Sequence, residues 1–214
     1  VTTMTAEALL LDLDGTLVDS SESITRSWLR WTEEFRVDPA LLAEAHGRTS
    51  AAIVADLVPA DRVAEALARI DELEVDDAGT VRAMGGVPDW LAALPSAAWA
   101  IVTSGHARLA RARIAASGVP SPGVLVTADD IAHGKPHPEP FLLGAARLGV
   151  EPERCVVLED APSGIAAARA AGMGVVAVTS NYPAAKLDAD LHVSSPSQLR
   201  VDGAGPLRLS LPAT

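Results

Sequence analysis

Cysteine, lysine and aromatic side chains are scarce in this chain, and each scarcity excludes something. The single cysteine, Cys155, cannot close an internal disulfide, and its place in the apolar run CVVL marks it as a buried core thiol in a reducing compartment. Aromatics make up 3% of the residues while hydrophobic residues make up 49%, which leaves the core to Ala, Val, Leu and Ile. Positive charge is carried by 15 arginines and only two lysines, with no basic block and a formal net charge of -11. That balance argues against nucleic acid or an anionic membrane as a partner. No apolar run approaches the roughly 20 residues that span a bilayer, and VTTMTAEA lacks the basic start and apolar stretch of a signal peptide. A cytoplasmic protein is expected, with Met4 as an alternative start.

The 214 residues suffice for one good-sized domain, or for a core domain carrying a smaller insert. Short apolar runs recur as ALLLDLD at 8–14, AWAIVTS at 98–104, GVLVTA at 123–128, CVVLED at 155–160 and GVVAVTS at 174–180. Uninterrupted apolar runs of strand length, spaced by amphipathic helices, describe a parallel sheet covered on both faces. Three of those helices, HARLARARIAAS, PEPFLLGAARL and PSGIAAARAA, run up to Gly118, Gly149 and Gly172, residues suited to a left-handed C-terminal cap. Residues 21–84 break the rhythm with successive amphipathic helices and no strand of similar quality. The expected fold is α/β, a Rossmann-like three-layer parallel-sheet core with an inserted α-helical domain. The core takes residues 1–18 and 87–200, the insert 19–86, and residues 201–214 form a weak hairpin or a loosely held tail. Trp28 and Trp31 read as the insert's core in preference to a stacking platform. Gly85 and Gly86 serve as a hinge or as a simple tight turn.

Ligands of an open parallel sheet bind outside the carboxyl ends of its strands. The predicted strands end in Asp12 and Asp14, in Thr103 and Ser104, and in Glu159 and Asp160, with Lys135 in the loop after the third. Burying an unpaired carboxylate costs several kcal/mol, so the aspartates must stand at the strand end rather than within it. Crowded carboxylates repel unless a cation lies between them, and oxygen-only ligation favours a hard ion, hence Mg²⁺. A lysine ammonium opposite that metal suits phosphate oxygens. A strand-end Asp, a lone Lys or a Thr-Ser pair is commonly structural by itself; the combination on one rim is the signal.

DLDGT at 12–16, VTSG at 102–105, GKPHPEP at 134–140 and LEDAPSGIAAARAAG at 158–172 resemble the four ordered motifs of the haloacid dehalogenase superfamily. The similarity covers about residues 7–195, and the helical insert resembles the small cap of the sugar-phosphatase and β-phosphoglucomutase-like branch. By that resemblance, Asp12 is the nucleophile and Asp14 the general acid and base. Thr103 holds a phosphoryl oxygen with the Ser104 backbone and Gly105 beside it, and Lys135 neutralises phosphate charge. Asp160 binds Mg²⁺ with Asp12 and the Asp14 carbonyl, and Glu159 supports the metal from behind its direct ligands or binds it through water. Gly15 permits the turn and close phosphate approach, and Thr16 braces it. Asp14 separates the chain from the superfamily's dehalogenases, which need no leaving-group acid, and from its P-type ATPases.

AHGRTSA at 45–51 resembles the cap turn that reaches the substrate in this branch, making His46, Gly47, Arg48 and Thr49 candidates for substrate binding. His133 and His137 read as loop and helix-cap residues, not metal ligands. The expectation is a Mg²⁺-dependent phosphatase of a small sugar or polyol phosphate, working through an aspartyl-phosphate. A β-phosphoglucomutase-like mutase, a phosphoglycolate-type phosphatase and a catalytically silent phospho-ligand sensor are the alternatives. A monomer is expected, with a dimer as the alternative.

Overall fold

The computed structural model describes residues 3–42, 48–203 and 206–212. In chain order its principal elements are β1 (Thr3–Ala6), β2 (Ala8–Leu11), β3 (Val18–Asp19), α1 (Ser21–Phe35), α2 (Ser50–Leu57), α3 (Val63–Asp77) and β4 (Arg82–Ala83). There follow α4 (Val87–Ala92), β5 (Trp99–Val102), α5 (Ala107–Ser117), β6 (Leu125–Val126), α6 (Glu139–Leu148), β7 (Cys155–Glu159) and α7 (Pro162–Ala170). The chain closes with β8 (Gly174–Val178), β9 (Leu191–Val193), β10 (Arg200–Asp202) and β11 (Leu207–Ser210).

Six strands form one sheet in the order β6-β5-β2-β7-β8-β9, and every pair in it is parallel. The chain first steps from β2 outward through β5 to β6, then returns across β2 and proceeds through β7 and β8 to β9. Right-handed crossovers in opposite directions put their helices on opposite faces. Accordingly Ala110 and Ile114 of α5 share a core with Leu9 and Leu11, while Phe141 of α6 and Ile165 of α7 share the other with Leu10 and Val157. Alternate residues of β2 therefore serve alternate layers, which is why ALLL is apolar without interruption. This is the expected α/β sandwich. Its sixth strand, β9, is only LHV and offers no apolar run to find. Cys155 begins β7, buried, and burial raises its thiol pKa to about 11, as expected of an inert core thiol.

Between β2 and β5 lie the inserted helices α1 to α3. Their own core contains Trp28, Trp31, Ile53, Val54, Ala66, Ile70 and Leu73. The Trp31 indole donates to the Ala66 carbonyl at 2.8 Å, so its one polar atom is satisfied inside. The chain enters and leaves this region side by side, because β3 and β4 pair antiparallel, Val18 opposite Ala83 and Asp19 opposite Arg82. The Gly85-Gly86 pair forms an anchored turn in this conformation: the Ser195 and Ser197 hydroxyls donate to the Gly85 carbonyl at 3.3 and 2.8 Å.

The C-terminal segment takes the first of its two expected forms: β10 and β11 form a hairpin, which adds to β1 in a separate antiparallel sheet. Leu207 and Leu209 alternate with Arg208 and Ser210 and fill the main core. Among the described residues, no helix is long and apolar enough to cross a membrane.

Candidate active site

Strand order assembles the rim. β2 lies between β5 and β7, so the ends carrying Asp12, Thr103 and Glu159-Asp160 are neighbours in space although 147 residues separate the first from Glu159. Asp12 keeps the ladder, its N–H donating to the Leu158 carbonyl at 3.0 Å, and the chain then turns at Gly15 with φ +84°. A methyl group there would press on the Asp160 carboxylate and the Asn181 amide, so both the turn and the packing demand glycine. The Thr16 hydroxyl donates to Asp160 Oδ1 at 3.4 Å and the Ser180 hydroxyl to the Gly15 carbonyl at 2.6 Å, bracing the turn on both sides.

Lys135 occupies the centre of the charge cluster. Its ammonium donates to Asp12 Oδ1 at 2.6 Å, Glu159 Oε1 at 2.7 Å and the Val102 carbonyl at 3.2 Å, which uses all three of its hydrogens. Burial works against that ammonium, yet the Asp12 and Glu159 carboxylates outweigh it and its pKa is raised. Burial also pushes the Asp12 and Glu159 carboxyls up, Lys135 opposes it, and the neighbouring carboxylates add to the rise. Glu159 Oε2 in turn accepts the Ala161 N–H at 2.7 Å, so both of its oxygens are engaged by protein. Asp160 is held in the same way, its Oδ1 by the Thr16 hydroxyl and its Oδ2 by the Asn181 amide at 2.7 Å.

The ligand oxygens of Asp12, Glu159 and Asp160 all lie within 4.8 Å of one another. Three carboxylates against one ammonium leave two formal negative charges in buried space, the complement of a divalent cation. The residues present therefore fit a hard metal ion.

Gly164, in the first turn of α7, lets the carboxylates approach so closely. A methyl group there would overlap the Glu159 carboxylate. Gly164→Ala is accordingly expected to cost about 1–3 kcal/mol, the scale of overpacking, and to reduce turnover by displacing the Lys135 clamp. Thermal melts and initial rates beside Ala166→Gly, a change on the same helix, check this.

A second buried cluster lies beside the first. Arg113, on α5 and 2% exposed, donates from Nη1 to Asp14 Oδ2 at 2.8 Å and from Nη2 to Glu74 Oε1 at 3.0 Å. Burial raises the Glu74 carboxyl while Arg113 lowers it, with a net rise. Asp14 Oδ1 is buried and has no hydrogen-bond partner.

Both clusters open on a cavity of about 530 Å³ between the helical insert and the sheet. Asp12, Asp14, Thr103, Ser104, Gly105, Glu159 and Asp160 line its floor, and Ile24, Trp28, Leu29, Arg48 and Ser50 its roof. Thr103 Oγ1 accepts the Gly105 N–H at 3.1 Å, which shapes the loop. Lys135 lies beneath Asp12 instead of in the cavity wall. Arg48 pairs with Asp56 at 2.7 Å, and Thr49 caps α2 by accepting the Ala52 N–H at 3.3 Å. His46 and Gly47 lie outside the described residues. His133 and His137 meet Glu139 on the exposed side of the Lys135 loop, Glu139 accepting the Ala132 and His133 N–H groups at 2.7 and 3.0 Å. The sequence motifs assign no role to Arg113, Glu74, Asn181 or Gly164. Arg113 and Glu74 do leave a trace: each is a charge on the apolar stripe of its helix, among Leu109, Ala110 and Ile114 in one case and Ala66, Ile70 and Leu73 in the other.

Residues 6–172 match the model of the haloacid dehalogenase-like hydrolases, a span that includes Asp12, Asp14, Thr103, Lys135 and Asp160. The chain belongs to that family. Hexitol phosphatase A of Escherichia coli K12 is 39% identical over 206 residues, covering 92% of this chain and 95% of that protein. Fructose-1-phosphate phosphatase YqaB of the same organism is 33% identical over 79% of this chain and 95% of its own length. A β-phosphoglucomutase of Clostridium difficile superposes with a TM-score of 0.80 at 23% identity, covering 91% of this chain and 93% of that one, a likeness of fold. Within the haloacid dehalogenase-like hydrolases, this enzyme is a phosphatase.

Proposed function

We propose that the enzyme hydrolyses a small neutral sugar or polyol phosphate in two steps through an aspartyl-phosphate on Asp12. The observation that carries this reading is the placement of two differently held carboxylates, Asp12 and Asp14, on one cavity. Lys135 pins Asp12 Oδ1, leaving Oδ2 to attack phosphorus while the bond to the substrate's alkoxide breaks. Asp14 gives its proton to that alkoxide, then takes one from the water that attacks the aspartyl-phosphate, and inorganic phosphate leaves. Mg²⁺, held by Asp12, Asp160 and the Asp14 backbone carbonyl, would supply the neutralisation that lets an anionic carboxylate approach an anionic ester. Thr103 and the backbone at Ser104 and Gly105 border the same floor and would receive the phosphoryl oxygens.

The cavity's charges favour a neutral alcohol portion. Of its described lining cations, Arg48 is paired with Asp56, and Arg113 is shared between Asp14 and Glu74. A carboxylated ester such as phosphoglycolate would meet Glu74 without an unpaired cation to answer it. The expected kcat/KM for phosphoglycolate is thus more than about tenfold below that for glycerol or hexitol phosphates.

Phosphate release from a panel of polyol, sugar, nucleotide and glycolate phosphates, with Mg²⁺ and with EDTA, tests the proposal. Metal-dependent preference for one or two polyol or sugar esters supports it. Isomer formation from a phosphohexose in place of phosphate release would replace it with a mutase, and binding without turnover with a sensor.

A further inference from the structure

We infer that Arg113 is a positioning residue that holds the acid-base carboxylate of Asp14 in its working rotamer and, through Glu74, makes that hold depend on the closed cap. The inference rests on the phosphatase reading of Asp14.

Arg113 belongs to α5 of the core, and Glu74 to α3 of the cap. One guanidinium reaches both domains, at 2.8 Å to Asp14 Oδ2 and 3.0 Å to Glu74 Oε1. A planar fork with several fixed donors bonds two carboxylates in set directions, 2.8 and 3.0 Å away here; a lysine at this position would present one point charge on a flexible stem and lose that fixed geometry. The chain of contacts continues into the cap, where the Ser50 hydroxyl of α2 donates to Glu74 Oε2 at 3.4 Å. A second approach between these segments lies at the start of α5, where its cap residue His106 brings Nε2 to 3.5 Å from Asp71 Oδ1 of α3, one turn before Glu74. The Asp14–Arg113–Glu74 line thus runs through a built interface between α3 and α5.

The consequence falls on Asp14. With Oδ2 committed to Arg113, the carboxyl cannot rotate freely, and the oxygen left over is Oδ1, buried with no hydrogen-bond partner. Asp14 lines the cavity, so whatever fixes its carboxyl fixes the group that must meet the leaving alkoxide. An opened cap removes Glu74 from Arg113 and frees the guanidinium to swing, taking the constraint on Asp14 with it. Acid catalysis is thereby confined to the state in which α3 of the cap is docked on α5 of the core.

A purely structural ion network would lower the rate of every substrate alike, whereas a positioning role touches only substrates that need the acid. Acetyl phosphate releases a carboxylate and needs no proton; a polyol phosphate releases an alkoxide and does. The comparison is made in kcat/KM, which covers steps through phosphoryl transfer and leaves out hydrolysis of the aspartyl-phosphate. The polyol ester is glycerol 1-phosphate or sorbitol 6-phosphate, whichever the wild type turns over faster. Arg113→Lys is expected to lose about 10²-fold on the polyol ester and less than about fivefold on acetyl phosphate. Glu74→Gln, whose amide oxygen still accepts from Arg113, is expected to lose about tenfold on the polyol ester alone, and it decides the matter if Arg113→Lys does not fold. Equal losses on both substrates, or none on either, overturn the assignment. A wild type that releases phosphate from neither ester, or an Asp12→Asn variant that still does so, instead removes the phosphatase reading beneath it.

Discussion

Asp12→Asn protein is expected to fold as the wild type does and to release phosphate at least about four orders of magnitude more slowly. The amide has nearly the carboxylate's shape but no electron pair of comparable nucleophilicity, so the aspartyl-phosphate cannot form. The fold should tolerate the change because burial already works against the Asp12 charge, which sits beside Glu159 and Asp160. Lys135 keeps Glu159 and the Val102 carbonyl as partners. A thermal melt equal to or above that of the wild type, paired with a phosphate assay on the purified variant, checks both halves. Turnover above about one hundredth of wild type would move the nucleophile elsewhere.

Lys135→Met should produce the largest loss of stability of any single change at the site. It leaves Asp12 and Glu159 buried, adjacent and without their shared counter-charge, and breaking such a pair costs about 3–5 kcal/mol. For a chain of this size the thermal midpoint would fall on the order of 10 °C. The pH dependence has a definite sign. Both carboxyls have pKa values raised by burial in the folded state, so the native protein binds more protons than the unfolded one between the ordinary carboxylate range and those raised values. Stability therefore increases as pH falls through that window and decreases as pH rises through it. Removing the ammonium raises both groups further and widens the window, so the variant should regain stability on mild acidification. The lysine itself contributes no slope there: its pKa is raised, and its contribution is complete below the unfolded value and lost only in strong alkali. Melts of wild type and variant from mild acid to neutral pH, with and without Mg²⁺, check this; a variant with the wild-type slope would contradict it.

Much of the rim is legible in the order of residues. Asp12 and Asp14 follow a run of leucines too apolar to hold them, and one of only two lysines stands in the loop after the third strand. Polarity at the end of a buried strand is a local signal, and local signals survive in one dimension. The C-terminal hairpin is harder to read, because Leu207 and Leu209 are worth little until β1 offers an edge to pair with. Arg113 is harder still. It is one of three arginines on an alanine-rich helix, set apart from Arg108 and Arg111 by its place on the apolar stripe, and its distance to two carboxylates from separate segments, 99 and 39 residues away, gives it a role.

By itself, then, the sequence determined the composition of the rim, the alternation of strand and helix, and the insertion of a helical region after the first strand of the sheet, because each depends on neighbours a few residues apart. The tertiary structure alone decided which strand ends touch. It also decided that Lys135 spends its three hydrogens on Asp12, Glu159 and Val102, and that a core arginine reaches into the cap. Those facts depend on strand order and on distances across the chain, and the energies that set them, desolvation and charge pairing, exist only once the segments have come together.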